Sequence, residues 1–301
     1  MTWVGVFCLL LALSQASIYA ALTSSLQDDP TPQALGQIVA SNGEQQRLVP
    51  FPNSVGGLLP SGFVVLEKTG EGAVITVAAQ DCIVFFFLAN ASVTQSLCSS
   101  VLVLDNIAVF NGTVWVNGYN MTASHNFLYS LDRTSGVFRQ EMALPGIIQV
   151  AISSSSDRLY FLTTQSEGGA GNNLTVVDVV DRRVVSQARV TAGIEILVYG
   201  GPSVGLLAWV ATETYAGQLV VLDLRTGATL KTIVSSVSLS ANGGCSAYDP
   251  VTGNVYAVLL DYQNGDAPVW TVTHLASGTM QRFPVSQNAQ YPWAVGIALV
   301  N

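Results

Sequence analysis

The stretch LVVLDLRTGATL, residues 219–230, consists of an apolar run, a polar turn and a second run of similar length. Stretches of the same form recur along the chain, as FLYSLDRTSGVF at 127–138, LTVVDVVDRRVV at 174–185 and VWTVTHLASGTM at 269–280. Two such runs around a short polar turn are typical of a β-hairpin. The chain is therefore predicted to repeat one hairpin several times.

The repeat has a period near 45 residues. Aligned on the residue that ends the first run, the hairpins are spaced by 44, 46, 45 and 51 residues. The aligned residues are Leu88, Asp132, Asp178, Asp223 and His274. A further pair of apolar runs precedes each hairpin, which predicts units of four short strands and few helices. The predicted units cover about 62–98, 105–144, 145–190, 191–236 and 240–286.

The distribution of apolar residues in the strands favours a β-propeller. Runs such as IVFFFL and LVVL are apolar at successive positions, which indicates strands buried on both faces. Four-stranded sheets of this period fit the blades of a propeller; a β-sandwich, the main alternative, would lack the period. The C-terminal stretch YPWAVGIALVN resembles the first strand of a further unit, and 34–52 offers a hairpin. We therefore expect a sixth blade that shares strands from both termini, unless the chain is a fragment of a longer protein.

One unit also resembles a known family. The stretches PGIIQVAISSSSDRLYFLTT, from residue 145, and NLTVVDVVDRRVVSQARV, ending at residue 190, resemble the YVTN-type propeller repeat, which is WD40- and NHL-like. The similarity extends more weakly over 206–262, and LYFLTT at 159–164 replaces the eponymous tetrapeptide. The resemblance implies a propeller and carries no catalytic residues with it.

The N-terminus is typical of a secretory signal peptide. An apolar block at 4–13 is too short to span a bilayer and is followed by small residues. Cleavage is predicted after Ala16 or Ala20; a buried N-terminal strand is the alternative. The predicted organisation is a signal peptide at 1–20, a segment at 21–61 that contributes strands to the closing blade, and the propeller at 62–301. The net charge of −8 argues against nucleic-acid partners, and no later segment predicts a membrane span.

Cysteines and sequons agree with an extracellular location. A hairpin turning at 89–91 would pair Cys82 with Cys98, within reach of a disulfide; two free thiols are the alternative, and Cys245 is expected to be unpaired and buried. Four N-glycosylation sequons fall at predicted turns or strand starts. Their asparagines are Asn90, Asn111, Asn120 and Asn173.

Catalytic motifs are nearly absent from the sequence. The stretch GPSVG at 201–205 matches the pattern of a nucleophile elbow, but a strand is predicted where that device needs a helix. The chain has 2 histidines and no zinc-binding spacing. Pairs such as Asp178 with Asp181, or Asp261 with Asp266, lack the pattern of a calcium loop. The aspartates that close the hairpins are predicted to form turns, and no cofactor is predicted.

Two functions are consistent with these features. The first is a secreted, glycosylated interaction module that binds a protein, a glycan or a small ligand and has no catalytic site. The alternative is a calcium-dependent hydrolase of the lactonase or esterase kind, with its site in the central channel. Candidate ligands for that site are Asn106, Asn117 and Asp261.

Overall fold

The structure is a computed structural model that describes residues 17–23, 33–52, 57–77, 80–145, 147–154, 158–164, 172–190, 193–211, 217–285 and 293–300. It contains six antiparallel sheets of four strands each, and its helical content in these ranges is one 3₁₀ turn at Tyr262–Asn264. The sheets are the blades of a six-bladed β-propeller. The propeller predicted from the repeat is confirmed.

Blades 1 to 5 follow one another along the chain, and blade 6 combines both ends of it. Three strands precede blade 1: β1 (Ser17–Thr23), β2 (Gln33–Ile38) and β3 (Gln45–Pro50). Blade 1 contains β4 (Gly57–Leu66), β5 (Glu71–Val77), β6 (Asp81–Phe87) and β7 (Val93–Ser99). Blade 2 contains β8 (Leu102–Phe110), β9 (Thr113–Asn120), β10 (His125–Asp132) and β11 (Val137–Ala143). Blade 3 contains β12 (Ile147–Ser154), β13 (Arg158–Thr164), β14 (Asn172–Asp178) and β15 (Arg183–Val190).

The remaining blades have the same design. Blade 4 contains β16 (Gly193–Tyr199), β17 (Leu206–Ala211), β18 (Gly217–Leu222) and β19 (Thr229–Val237). Blade 5 contains β20 (Leu239–Asp249), β21 (Asn254–Asp261), β22 (Ala267–His274) and β23 (Thr279–Pro284). Blade 6 has the strand order β24-β1-β2-β3, where β24 is Trp293–Val300.

The first strands of the six blades surround the axis. Each contacts the first strand of the next blade, and β24 contacts both β20 and β4, which closes the ring. Because neighbouring strands are antiparallel, the connections fall at two ends of the ring. We call the end with the first-to-second and third-to-fourth turns the turn face. The opposite end, which has the second-to-third connections and the links between blades, is the loop face.

Blade 6 confirms the predicted closure by both termini. The C-terminal strand β24 is the innermost strand, and the predicted hairpin at 34–52 forms β2 and β3. Between them lies β1, in which Ala20 pairs with Ile297 on one side and with Gly36 on the other. The sequence analysis did not predict this strand, because IYAALT directly follows the longer apolar block and was included with it.

The core lies between the blades. Trp209 packs with Leu259 at the junction of blades 4 and 5, and Trp270 packs with Ile18 at the junction of blades 5 and 6. All four side chains are at most 2% exposed. Burying a large apolar side chain stabilises a fold by roughly 1.5–3 kcal/mol, so every blade depends on both of its neighbours. This explains why the strands are apolar on both faces.

The cysteines have the predicted arrangement. Cys82 on β6 pairs in register with Cys98 on β7, and the two form a disulfide. The pairing that a turn at 89–91 implies is present from Asp81–Ser99 to Phe85–Gln95, and next to the turn a shift between Phe85 and Phe86 places Phe86 opposite Val93. Cys245 is free and buried, and burial raises the pKa of its thiol to about 12. A thiol with so high a pKa is inert as a nucleophile.

Ion pairs connect neighbouring blades near the turn face. Arg133, from the turn after β10, contacts Glu71 of blade 1 at 2.8 Å and lies over the ring of Phe85. Arg182, from the equivalent turn of blade 3, contacts Glu141 of blade 2 at 3.0 Å. The hydrogen bonds from Arg133 lower the pKa of Glu71 to about 2, against the opposing effect of burial. The charged form of Glu71 therefore stabilises the folded ring.

The variant Glu71→Gln tests this pair. It leaves the Arg133 charge without its partner, so we expect the free energy of unfolding at pH 7 to fall by about 3 kcal/mol. Because the pKa of Glu71 is about 2 in the folded protein and 4.5 as its ordinary value, the stabilisation is complete above pH 4.5 and is lost as the pH falls towards 2. Chemical denaturation across this pH range measures the difference between variant and parent.

The matched control is Arg139→Gln, which removes an exposed ion pair between Arg139 and Asp132, both of blade 2. We expect little change from it at any pH, because exposed pairs contribute little. Equal stability of Glu71→Gln and the parent at pH 7 would contradict the proposed role of the pair.

Candidate functional site

All six innermost strands are irregular at the same level, close to the loop face. In each of them one or more residues lie outside the regular ladder with the second strand. The positions are 59–62, Asp105, Gln149, Glu195, 241–244 and Val295. Bulges of this kind bend a strand and often redirect a side chain beside a functional site. They place two carboxylates, Asp105 and Glu195, beside the axis.

The Glu195 carboxylate is part of a contact between blades. It accepts a hydrogen bond from the hydroxyl of Ser240, on the first strand of blade 5, at 3.2 and 3.3 Å to its two oxygens. This bond joins blades 4 and 5 at the axis, as the Glu71–Arg133 pair joins blades 1 and 2 near the turn face. We assign Glu195 a structural role.

Asp105 has a different environment. Its Oδ2 accepts a hydrogen bond from the side-chain amide of Asn117 at 3.2 Å, and no described lysine or arginine is paired with it. Asp81 lies close by, with its Oδ2 accepting from the backbone amide of Leu104 at 2.8 Å. Burial, and then the charge of Asp81, raises the pKa of Asp105 to about 6. A carboxyl with a raised pKa beside a channel is typical of functional sites.

Blade 2 contains three buried asparagines near the loop face. Asn106 and Asn117 adjoin Asp105, and Asn126, on β10, pairs with Tyr119. Asn106, Asn117 and Asn126 are 7%, 0% and 5% exposed. The side-chain oxygen of Asn117 has no hydrogen-bond partner. Leaving a buried acceptor unsatisfied costs about 1–3 kcal/mol, so this position is suited to receive a donor. The sequence analysis named Asn106 and Asn117 but missed Asp105, the charged residue that interrupts the run VLVLDNIAVF.

The aspartates predicted to form turns do so. In Asp132, Asp178 and Asp223 the Oδ1 atom accepts hydrogen bonds from the backbone amides two and three residues later. Hydrogen bonds within these turns lower the pKa of each carboxyl. Asp261, a proposed calcium ligand, instead caps the 3₁₀ turn by accepting from the amide of Gln263 at 3.1 Å.

The other motifs are also accounted for by turns. The stretch GPSVG forms the turn between β16 and β17, where Gly201 and Gly205 have φ of 88° and 87°. His125 starts β10 at the loop face and His274 ends β22 at the turn face, so they lie at opposite ends of the ring. Among the described residues, no group of three or more His, Cys, Asp or Glu side chains is placed to hold a metal ion. Within the same ranges, no helix is long and apolar enough to cross a membrane.

Comparison with known proteins identifies the fold but no close relative. No family model matches the chain, and no curated protein sequence matches it. A chain in the crystal structure of a nidogen/laminin complex is similar in structure, with a TM-score of 0.63 and 12% identity over 95% of this chain and 99% of the other. TolB from Acinetobacter baumannii has a TM-score of 0.62 and 12% identity, over 95% of this chain and 66% of the other.

A third similar structure comes from a Bacteroides fragilis protein assigned to the 6-phosphogluconolactonases. Its TM-score is 0.58 with 8% identity, over 96% of this chain and 99% of the other. Similar structures thus include both a protein of a binding complex and a protein assigned as an enzyme. The chain has the propeller fold that the YVTN resemblance implies, and at these identities the similarity does not extend to function.

The variant Asp105→Asn tests the environment of the candidate site. The pKa of Asp105 is about 6 in the folded protein against an ordinary 3.8, so its ionisation opposes folding as the pH rises from 4 to 6. We expect the variant to be more stable than the parent at pH 7.5 by roughly 1–2 kcal/mol, discounted for partial exposure. Below pH 4 the two should unfold alike.

Denaturation at both pH values provides the measurement, and Asp266→Asn, at an exposed position of the loop face, is the matched control for replacing a carboxylate by an amide. A variant at Asp105 that is less stable than the parent at pH 7.5 would show that its charge is compensated.

Proposed function

We propose that the chain is a secreted, glycosylated β-propeller that acts as a binding module, and that its partner binds at the loop face. The observation that carries this proposal is the position of the two most accessible sequons. Asn90 and Asn111 are both exposed, in the β6–β7 and β8–β9 turns. Both turns belong to the turn face. Glycans there would shield that end and leave the loop face free.

The other two sequons are less accessible in the folded protein. The side-chain oxygen of Asn120 accepts from the backbone amides of Thr122 and Ala123 at 2.9 and 3.0 Å, and its amide group faces the hydroxyl of Tyr129. Asn173 lies within β14, and Thr175 of the same sequon is fully buried. A glycan is attached through the side-chain nitrogen, so on Asn120 it would compete with the contact to Tyr129, whereas Oδ1 bonds such as those that Asn90 accepts from Ser92 leave the nitrogen free. In the Asn173 sequon the buried threonine limits access instead. We therefore propose that Asn90 and Asn111 are the main glycosylation sites.

The position of β1 also favours one of the two proposed cleavage sites of the signal peptide. Cleavage after Ala20 would remove Ser17–Ala20 from β1, where Ile18 and Ala20 are buried. Cleavage after Ala16 would leave the whole strand to pair with β24 and β2. We propose that the mature chain begins at Ser17. The disulfide between Cys82 and Cys98 supports an oxidising compartment.

A calcium-dependent hydrolase is the alternative. The luciferin-regenerating enzyme, with a TM-score of 0.51 and 10% identity over 87% of this chain and 96% of the other, is also similar in structure, but this similarity concerns the fold. Asp105 and its neighbours are the described groups nearest to such a site. They offer the carboxylates of Asp105 and Asp81 together with side-chain amides, and among the described residues no third His, Cys, Asp or Glu side chain joins them to hold a metal ion.

Expression of the whole sequence in a eukaryotic secretory host tests the proposal. Mass spectrometry of the secreted protein should show an N-terminus at Ser17, an intact disulfide, and glycans at Asn90 and Asn111. The variants Asn90→Gln and Asn111→Gln should each lose one glycan, whereas the matched variant Asn173→Gln should lose little or none. Accumulation inside the cell with reduced Cys82 and Cys98 would contradict the proposal. Calcium-dependent hydrolysis of a lactone by the purified protein would favour the alternative.

A further inference from the structure

Four large apolar side chains lie together at the loop face of blade 2. Val101, Val103, Tyr119 and Met121 are 47%, 42%, 37% and 51% exposed. Val103 pairs directly with Tyr119 across β8 and β9, and the amide of Met121 donates to the carbonyl of Val101 at 3.1 Å, which extends this pairing. We call these four residues the loop-face patch.

The loop-face patch continues a surface that is buried further down the blade. On the same face of β8 and β9, Ala108 and Trp115 pack against Leu159 and Val177 of blade 3. Towards the loop face the same side of blade 2 carries the exposed residues of the patch. Scattered exposed apolar residues are normal, but adjacent ones often mark a binding surface.

The polar groups of the candidate site lie directly beside the patch. Along β9, Asn117 precedes Tyr119 by two residues and shares its face. Asp105 lies in the bulge of β8, but the side-chain amide of Asn117 donates to its Oδ2 at 3.2 Å, which places the Asp105 carboxylate beside the same face. The partly exposed carboxylate of Asp105 therefore lies at the axial end of the patch, and the buried Asn117 beneath it holds it in place. A ligand on the patch would meet the Asp105 carboxylate at this end.

The charge around the loop face is negative. Described carboxylates at this end include Asp81, Asp261 and Asp266 in addition to Asp105. The sequences that connect strands here contain no lysine or arginine. Six of the 11 basic residues instead lie in or beside the turns of the turn face; they are Lys68, Arg133, Arg158, Arg182, Arg183 and Arg225. On the side of blade 3 that faces blade 2, Arg189 lies on the outermost strand, β15, in register with Asn173.

From this arrangement we propose that the loop-face patch binds an extended segment of a partner protein in which apolar residues alternate with lysine or arginine. The apolar side chains of the bound segment pack against Val103 and Tyr119. One of its lysine or arginine side chains reaches Asp105, where its positive charge also relieves the repulsion between Asp105 and Asp81. Arg189 at the perimeter disfavours a second cation there and so orients the segment with its positive charge towards the axis. This inference deepens the proposed function, because it rests on the loop face as the binding face.

A synthetic peptide serves as the probe. Fluorescein-labelled LKLKLK is titrated with the full-length secreted protein, and binding is followed by fluorescence anisotropy. The peptides LELELE and SKSKSK are the controls for charge and for apolar contact. We expect LKLKLK to bind at least about tenfold more tightly than either control, because buried apolar contacts supply affinity and complementary charge supplies selectivity.

Variants of the chain locate the site. Asp105→Asn and Tyr119→Ser should each weaken binding of LKLKLK by roughly fivefold or more, while Val251→Ser, at an exposed apolar position on the turn face, should leave it unchanged. Asp105→Asn is expected to stabilise the fold, so weaker binding by this variant cannot be ascribed to unfolding.

Two outcomes would overturn the inference. The first is equal binding of the three peptides, or binding unaffected by Asp105→Asn and Tyr119→Ser. The second is tight binding of calcium alone, measured by calorimetry and abolished by Asp105→Asn, with no peptide binding; Asp105 would then belong to a cation site. Either outcome is distinguishable from failure of the proposed function, because secretion and glycosylation are measured on the same protein without any peptide.

Discussion

The closure of the ring by β24 and β1 is the contact on which the other features depend. Every blade is apolar on both faces, so a blade at an open end would expose one whole face and a strand edge. Pairing of residues 17–23 with residues 293–300 removes both problems in a single sheet. It also couples the two ends of the chain, so that opening any junction between two blades destabilises the whole ring.

Polar groups inside this apolar assembly have two roles. Some carboxylates have a partner from a neighbouring blade and hold adjacent blades in register: Glu71 binds Arg133, and Glu195 binds Ser240. Asp105 has a single amide partner from its own blade and a raised pKa. The first kind of group contributes to stability, whereas the second reduces it at neutral pH. A group that costs stability and lies at the edge of an exposed patch is more easily explained by binding than by folding.

The repeat allowed most of the fold to be predicted, because hairpin turns and doubly apolar strands are local features of sequence. The pairing of Cys82 with Cys98 followed from the hairpin alone. The opposition of Phe86 and Val93 did not, because a register shift depends on packing against the next blade. Strand β1 was missed because its partners are distant in sequence and its apolar residues continue those of the N-terminal block.

Less of the candidate site could be predicted from the sequence. Asp105 and Glu195 occupy the same level of their blades, and both interrupt apolar runs, which is a visible signal. The sequence does not distinguish the carboxylate that bonds a neighbouring blade from the one that does not. The sequence also does not show that Val103 and Tyr119 are exposed, since other valine and tyrosine residues of the same blade are buried.

Hydrogen exchange followed by mass spectrometry tests the closure of the ring most directly. Peptides that cover residues 17–23 and 293–300 should exchange as slowly as those from β5 and β21, because their amides are paired within a four-stranded sheet and open only with the whole ring. Fast exchange of either segment in an otherwise protected protein would show that blade 6 is not closed by the two termini.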